Sequence, residues 1–237
     1  MKKRESAAIF KLIIADFDRT LVDADIDWPL MRKKLSDFCF SFGVNFDQSK
    51  STFKGAENAV KILLKKNHNR KLAHKLHQNL LKIMEQEEIA AVKRAKPIKG
   101  AKNFLKWLKQ SGIKFIVFSN NHRHCIIDIL KKLKFPLPEM IIGCDDFKYQ
   151  YIKPDHRGLK KGLKKIKIRP AQCLLIGDSD ADFKIGKALK IKTFILNLYY
   201  KQKNIDHNFN KDGAVIPESF NQLKQILVKN FNQNKSN

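Results

Sequence analysis

Short apolar runs alternate with longer amphipathic ones along most of the chain. Lys11-Leu12-Ile13-Ile14-Ala15 is mostly apolar, partly β-branched and too short for a helix, which predicts a buried strand. Ile113 to Phe118, Met140 to Ile142, Gln172 to Ile176 and Lys192 to Leu196 read the same way. Between them lie helical faces: Ala101, Phe104, Leu105 and Leu108, closed by Gly112; then Ile126, Ile129, Leu130 and Leu133; then Leu159, Leu163 and Ile166; then residues 181–190. Phe220, Leu223 and Leu227 suggest a closing helix, and residues 232–237 are expected to be disordered.

One block departs from this alternation. From Trp28 to about Lys96 the pattern is only helical, with Leu72, Leu76, Leu80 and Met84 at four-residue steps. Asp27 and Pro29 have the form of a helix start, cap first and proline in the first turn. Residues 21–27 before it read as a turn or flap, and Pro97 and Gly100 mark the return to the alternating pattern. We expect about four helices here, inserted into an α/β chain. Strands alternating with helices predict a parallel sheet with helices on both faces, a three-layer Rossmann-like core. The expected division is a core of residues 1–24 and 97–237 and an all-helical cap of residues 25–96.

Composition permits this. The chain has 237 residues, 43% of them hydrophobic, enough for one large domain or a domain with an insertion. No stretch is apolar and long enough to span a bilayer. The basic start Met1-Lys2-Lys3-Arg4 imitates a secretion signal, but cleavage after the next apolar run would remove the first strand, so none is expected. Cys39, Cys125, Cys144 and Cys173 lack metal spacing and are expected reduced and buried, which suits the cytoplasm.

Charge changes the picture more. The formal net charge is +25, which admits a polyanionic partner such as nucleic acid. The lysines, however, fall between apolar residues at helical spacing, so solvated helix faces are the favoured reading. The acids are less even: of 23, five lie in residues 16–27 and three in 178–182. An acidic hole in a basic surface suits a cation inside it and an anionic substrate drawn to its rim.

The candidate chemistry sits where strands end. Asp16 and Asp18 follow the first strand, on one side if the chain stays extended. Two such carboxylates are tolerable if a cation bridges them or one shares a proton; a solvated acidic turn is the bland alternative. Ser119 follows the second strand and Asp178 the fourth. Ligands of open parallel sheets bind at the carboxyl ends of the strands, which gathers these groups at one edge.

In order along the chain, Asp16-Phe17-Asp18-Arg19-Thr20, Ser119, Lys153 and Gly177-Asp178-Ser179-Asp180-Ala181-Asp182 resemble the four motifs of the haloacid dehalogenase superfamily of phosphohydrolases. The resemblance covers about residues 10–200, and the helical block resembles that family's cap. It implies an Mg²⁺-dependent phosphatase acting on a small phosphomonoester. Asp16 would be the nucleophile that forms an aspartyl-phosphate, and Asp18 the general acid and base. Mg²⁺ would be held by the Asp16 carboxylate, the Asp18 backbone carbonyl and Asp178. Ser119 and the Asn120 N–H would hold phosphoryl oxygens beside Lys153, while Asp182 would orient Lys153 or metal-bound water. Thr20 would support the turn.

The residues have duller uses as well. Ser119 could cap a helix, Lys153 could be one more surface lysine, and Asp180 and Asp182 could complement a helix dipole. Asp180 matches no ligand position. Arg19 departs from the glycine common in the family, and either points away from the metal or reaches the substrate. Asp18 argues for phosphoryl chemistry, because the family's dehalogenases lack a second acid and a departing halide needs no proton. His122, His124 and Cys125 lie close together, but their spacing fits no usual zinc site. Two other functions share these features: a phosphotransferase or mutase of the β-phosphoglucomutase type, and a basic nucleic-acid-binding protein with an inactive phosphatase-like core.

Overall fold

The computed structural model describes residues 10–146, 152–196 and 215–233. The expectation about the basic start, and that for residues 234–237, lie outside them.

Five parallel strands form the central sheet: β1 (Leu12–Ala15), β4 (Lys114–Phe118), β5 (Met140–Ile142), β6 (Cys173–Gly177) and β7 (Lys192–Ile195). Their order is β5-β4-β1-β6-β7, with β1 central and pairing with β4 on one side and β6 on the other. Strand side chains alternate between faces, and the core divides accordingly. Ile13, Ala15, Phe115, Val117, Leu174 and Ile176 face one way, onto α4 (Ala101–Gln110), α5 (Arg123–Lys132) and α8 (Phe220–Gln233). Leu12, Ile14, Ile116, Phe118, Cys173 and Leu175 face the other way, onto α6 (Arg157–Lys165) and α7 (Asp180–Leu189). The three layers match the α/β architecture expected from the sequence. β1 is buried throughout, so it reads as one continuous apolar run.

Two features differ from expectation. Residues 21–27 are not only a turn: β2 (Val22–Asp23) pairs antiparallel with β3 (Lys96–Pro97), a two-stranded ribbon at the foot of the helical block. The two-residue runs are too short, and Pro97 too unlike a strand residue, for periodicity to reveal them. The block itself has three helices, not about four: α1 (Trp28–Ser41), α2 (Thr52–Asn67) and α3 (Arg70–Val92). α3 alone runs 23 residues with no proline or glycine to stop it, about twice an ordinary helix. Leu76, Leu80 and Met84 of its stripe are buried, and Leu72 packs half-buried at the edge.

The Asp27 side chain accepts a hydrogen bond from the Leu30 N–H at 2.9 Å, capping α1 as its sequence suggests. The last helix takes in residues 232 and 233, which were expected to be disordered. All four cysteines are buried and free. Among the described residues no helix is long and apolar enough to cross a membrane.

Candidate active site

The carboxyl ends of β1, β4 and β6 deliver their next residues to one rim. Asp16 continues the ladder of β1, its N–H donating to the Ile176 carbonyl at 2.8 Å. The chain then folds back on itself. The Leu21 and Val22 N–H groups both donate to the Phe17 carbonyl, at 2.9 and 3.1 Å, and the Arg19 N–H donates to Val22. This turn needs a left-handed residue, and Arg19 supplies it with φ of 62°. Its guanidinium lies 5.9 Å from the ring centre of Trp28, the first residue of α1. Arg19 thus stands between the acidic turn and the helical block.

Lys153 is the hub. Its ammonium donates to Asp16 Oδ1 and to Asp182 Oδ1, each at 2.7 Å, and lies 4.8 Å from the ring centre of Phe118. Only 6% of the residue is exposed, so it is no ordinary surface lysine. Thr20 Oγ1 donates to the other Asp16 oxygen at 3.0 Å, fixing the carboxylate plane from both sides. Ser179 caps α7, and its hydroxyl donates to Asp182 Oδ2 at 2.6 Å. Asp182 comes so close to β6 that a Cβ on Gly177 would lie 2.3 Å from its carboxyl carbon, so only glycine fits there. Asp18 turns elsewhere, and its Oδ1 accepts from the Ala24 N–H at 3.0 Å.

Ser119 does not cap α5; His122 occupies that position. The Ser119 hydroxyl donates to Asn121 Oδ1 at 2.9 Å, and Asn120 Oδ1 accepts from the Lys153 N–H at 2.9 Å. The loop after β4 and the lysine loop are therefore tied by a hydrogen bond from the Lys153 backbone to the Asn120 side chain. Asp180 is exposed and pairs with Lys184 one turn on. Asn121 and Glu88 were missed from sequence. Asn121 is one more polar residue in a polar run, and Glu88 sits on a distant helix where only the fold brings it to the loop.

The electrostatics are lopsided. Oxygens of Asp16, Asp178 and Asp182 all lie within 4.8 Å of one another, with Asp18 nearby and Lys153 as the buried cation among them. Burial, with Asp16 and Asp182 behind it, pushes the Asp178 carboxyl up to about 8. Burial also lifts Asp16 to about 6, against the pull of Lys153, and Asp18 to about 6. Burial would lower the Lys153 ammonium, but Asp16 and Asp182 outweigh it and hold it above its ordinary value. At neutral pH the cluster thus keeps a proton that a cation could replace. Hard oxygen donors at this spacing fit a divalent ion, with Asp16, Asp178 and Asp182 in reach.

Known proteins resemble this chain in sequence and fold. The family model for haloacid dehalogenase-like hydrolases matches residues 13–196. A phosphoglycolate phosphatase of Aquifex aeolicus is 27% identical over 199 residues, covering 82% of this chain and 88% of that protein. A Bacteroides fragilis structure described as haloacid dehalogenase-like superposes with a TM-score of 0.63 at 20% identity, over 90% of this chain and 99% of the other. A Streptococcus pneumoniae hydrolase of the haloacid dehalogenase-like kind gives 0.59 at 14% identity, over 92% and 98%. At these identities the two structures speak for the fold alone.

Proposed function

Because this chain belongs to the haloacid dehalogenase-like hydrolase family, and is a phosphatase of that family, we propose that it cleaves small phosphomonoesters through a covalent intermediate on Asp16. The observation that supports this most is the meeting of Asp16, Lys153 and the Asp178–Asp182 pair, from three separate stretches of sequence, with the carboxylate oxygens within 4.8 Å of one another. Phosphoglycolate is the first substrate to try, since the curated relative acts on it by name.

In this reading the Asp16 carboxylate attacks phosphorus while the ester oxygen departs. Asp18, which burial holds near 6, donates a proton to that oxygen and then takes one from the water that attacks the acyl phosphate. The Ser119 hydroxyl and the Asn120 N–H face the phosphoryl oxygens, and the Lys153 ammonium balances their charge. Asp182 fixes the direction of Lys153 and is a positioning residue. Mg²⁺, held by Asp16, the Asp18 carbonyl and Asp178, would offset the repulsion between an anionic nucleophile and an anionic phosphate. Residues 25–96 act as a cap over the core of residues 1–24 and 97–237, excluding bulk water and selecting the ester.

A panel of phosphate esters with Mg²⁺ tests the proposal. Inorganic phosphate should appear in step with the alcohol. Phosphate that moves to a sugar hydroxyl instead of water would replace hydrolysis with mutase chemistry. No turnover of any ester would refute both.

Metal binding should also follow pH. In the metal-free protein Asp16, Asp18 and Asp178 have raised pKa values, so between about pH 4 and pH 8 the folded state binds more protons than the unfolded chain. Stability without metal therefore falls as pH rises through that window. Mg²⁺ competes with those protons, so the Tm gain it gives should be small near about pH 5 and grow to its full size by about pH 8.5. Thermal melts with Mg²⁺ and with chelator check this. A gain independent of pH would mean the ion sits elsewhere.

A further inference from the structure

The loop after β4 is gripped from outside the core as well as from within. The core supplies the Ile142 carbonyl, which accepts from the Ser119 N–H at 2.9 Å, and the Cys144 N–H, which donates to the Asn121 carbonyl at 3.1 Å. The outer grip is Glu88, on α3 of the helical block. Its Oε2 accepts from the His122 N–H at 2.7 Å, and its Oε1 lies 3.3 Å from the imidazole Nδ1. Glu88 is 2% exposed and His122 4%. Three residues earlier on the same helix, Glu85 Oε1 lies 3.3 Å from His124 Nε2.

A carboxylate buried near the end of a helix costs several kcal/mol, about 3–5 if its partner is removed, and an apolar residue would pack at less expense. Leu80, Met84 and Ala91 of the same helix do so. Glu88 instead meets an N–H at the start of α5, where the helix itself offers no acceptor and an acid is favoured. His122 lies three residues after Ser119 and two after Asn120. A shift of the His122 backbone therefore moves the groups assigned to hold phosphate.

We propose that Glu88 is a positioning residue for the phosphate loop, through which α3 of the helical block sets where Ser119 and Asn120 stand relative to Asp16. The role of the loop rests on the phosphatase reading; the contact itself does not. Glu88 touches no reacting group and acts through the His122 backbone.

The imidazole lies beside the same carboxylate, although neither Glu88 Oε1 nor His122 Nδ1 makes a hydrogen bond. Burial would push it down, but the Glu88 carboxylate, with Glu85 and Asp145 behind it, carries it above its ordinary value. The His124 ring lies 5.9 Å away centre to centre.

Two variants of the full chain separate positioning from packing. Glu88→Gln keeps an acceptor for the His122 N–H, and Glu88→Met fills the space without one. With Mg²⁺ and the best ester of the panel, the methionine variant should lose about 10²-fold in kcat/KM, as a displacement of about 1 Å costs. Inorganic phosphate should inhibit it at least about tenfold more weakly, and amides 119–122 should exchange hydrogen at least about tenfold faster. The glutamine variant should stay within about threefold of the parent on all three measures. Glu88→Ala repeats the loss arm if methionine does not fold. Equal behaviour of the Gln and Met variants would overturn the proposal. So would a lowered Tm with phosphate inhibition and loop exchange unchanged in the folded protein. If the parent hydrolyses no ester, the phosphatase reading fails, and loop exchange still decides the role of Glu88.

Discussion

Asp16→Asn should reduce phosphate release by about 10⁴-fold or more, because an amide neither attacks phosphorus nor leaves again as a carboxylate. The same substitution should leave the metal-free protein as stable as the parent, or more so. Asp16 is buried, its carboxyl is lifted to about 6, and oxygens of Asp178 and Asp182 lie within 4.8 Å. The amide removes one charge from a group with too many. It can still accept from Thr20, and Lys153 keeps its contact with Asp182. The stabilisation by Mg²⁺ should shrink with the activity, since one anionic donor is gone. Initial rates and melts with and without Mg²⁺ give all three results. Phosphate release that survives the substitution would mean another nucleophile. A large drop in metal-free stability would mean that the Asp16 charge balances Lys153 more than it repels the other acids.

Much of this was legible in the chain. The sheet could be read because each strand is a short apolar run bounded by polar turns, and because residues such as Asp16 and Asp178 fall where those runs stop. The parallel topology then dictated which ends meet, well before any contact was known. What could not be read was set by contacts between distant segments. No periodicity reveals that Val22 pairs with Pro97, since a two-residue strand has no period. The number of helices in the inserted block was overestimated, since α3 alone runs 23 residues. Lys153 was singled out only by the family resemblance, and its burial between two carboxylates comes from the fold. Glu88 was invisible for the opposite reason: its pattern position is that of a core residue, and only the approach of α5 makes its charge useful. Asp182 was expected to orient Lys153 or water. It pairs with Lys153 at 2.7 Å and also stands within 4.8 Å of Asp16 and Asp178.

Lys153→Met should damage stability and activity together, and the two losses should be separable. The ammonium is the buried counter-ion of Asp16 and Asp182, at 2.7 Å from each. Removing it strands two buried carboxylates, a change that costs about 3–5 kcal/mol when one partner of a buried pair is deleted. The cost should ease as pH falls through about 6, where Asp16 takes up a proton even with the ammonium beside it. Activity should fall about 10²–10³-fold, the size expected from losing one group that balances charge on the transferring phosphoryl. Arginine should not rescue it: its planar fork is bulkier than the ammonium, and the space beside Phe118 and Asp182 is closed. Adding Asp182→Asn to Lys153→Met removes one of the stranded charges. The double variant should therefore lose less stability than the two single losses summed, by about 0.5–3 kcal/mol, while its activity stays as low as that of Lys153→Met. Urea denaturation and kcat/KM on the four proteins of this cycle give both answers. Strict additivity in stability would mean that Lys153 and Asp182 are neighbours without being partners. Recovery of activity in the double variant would mean that the ammonium serves only to hold Asp182, not to meet the phosphate.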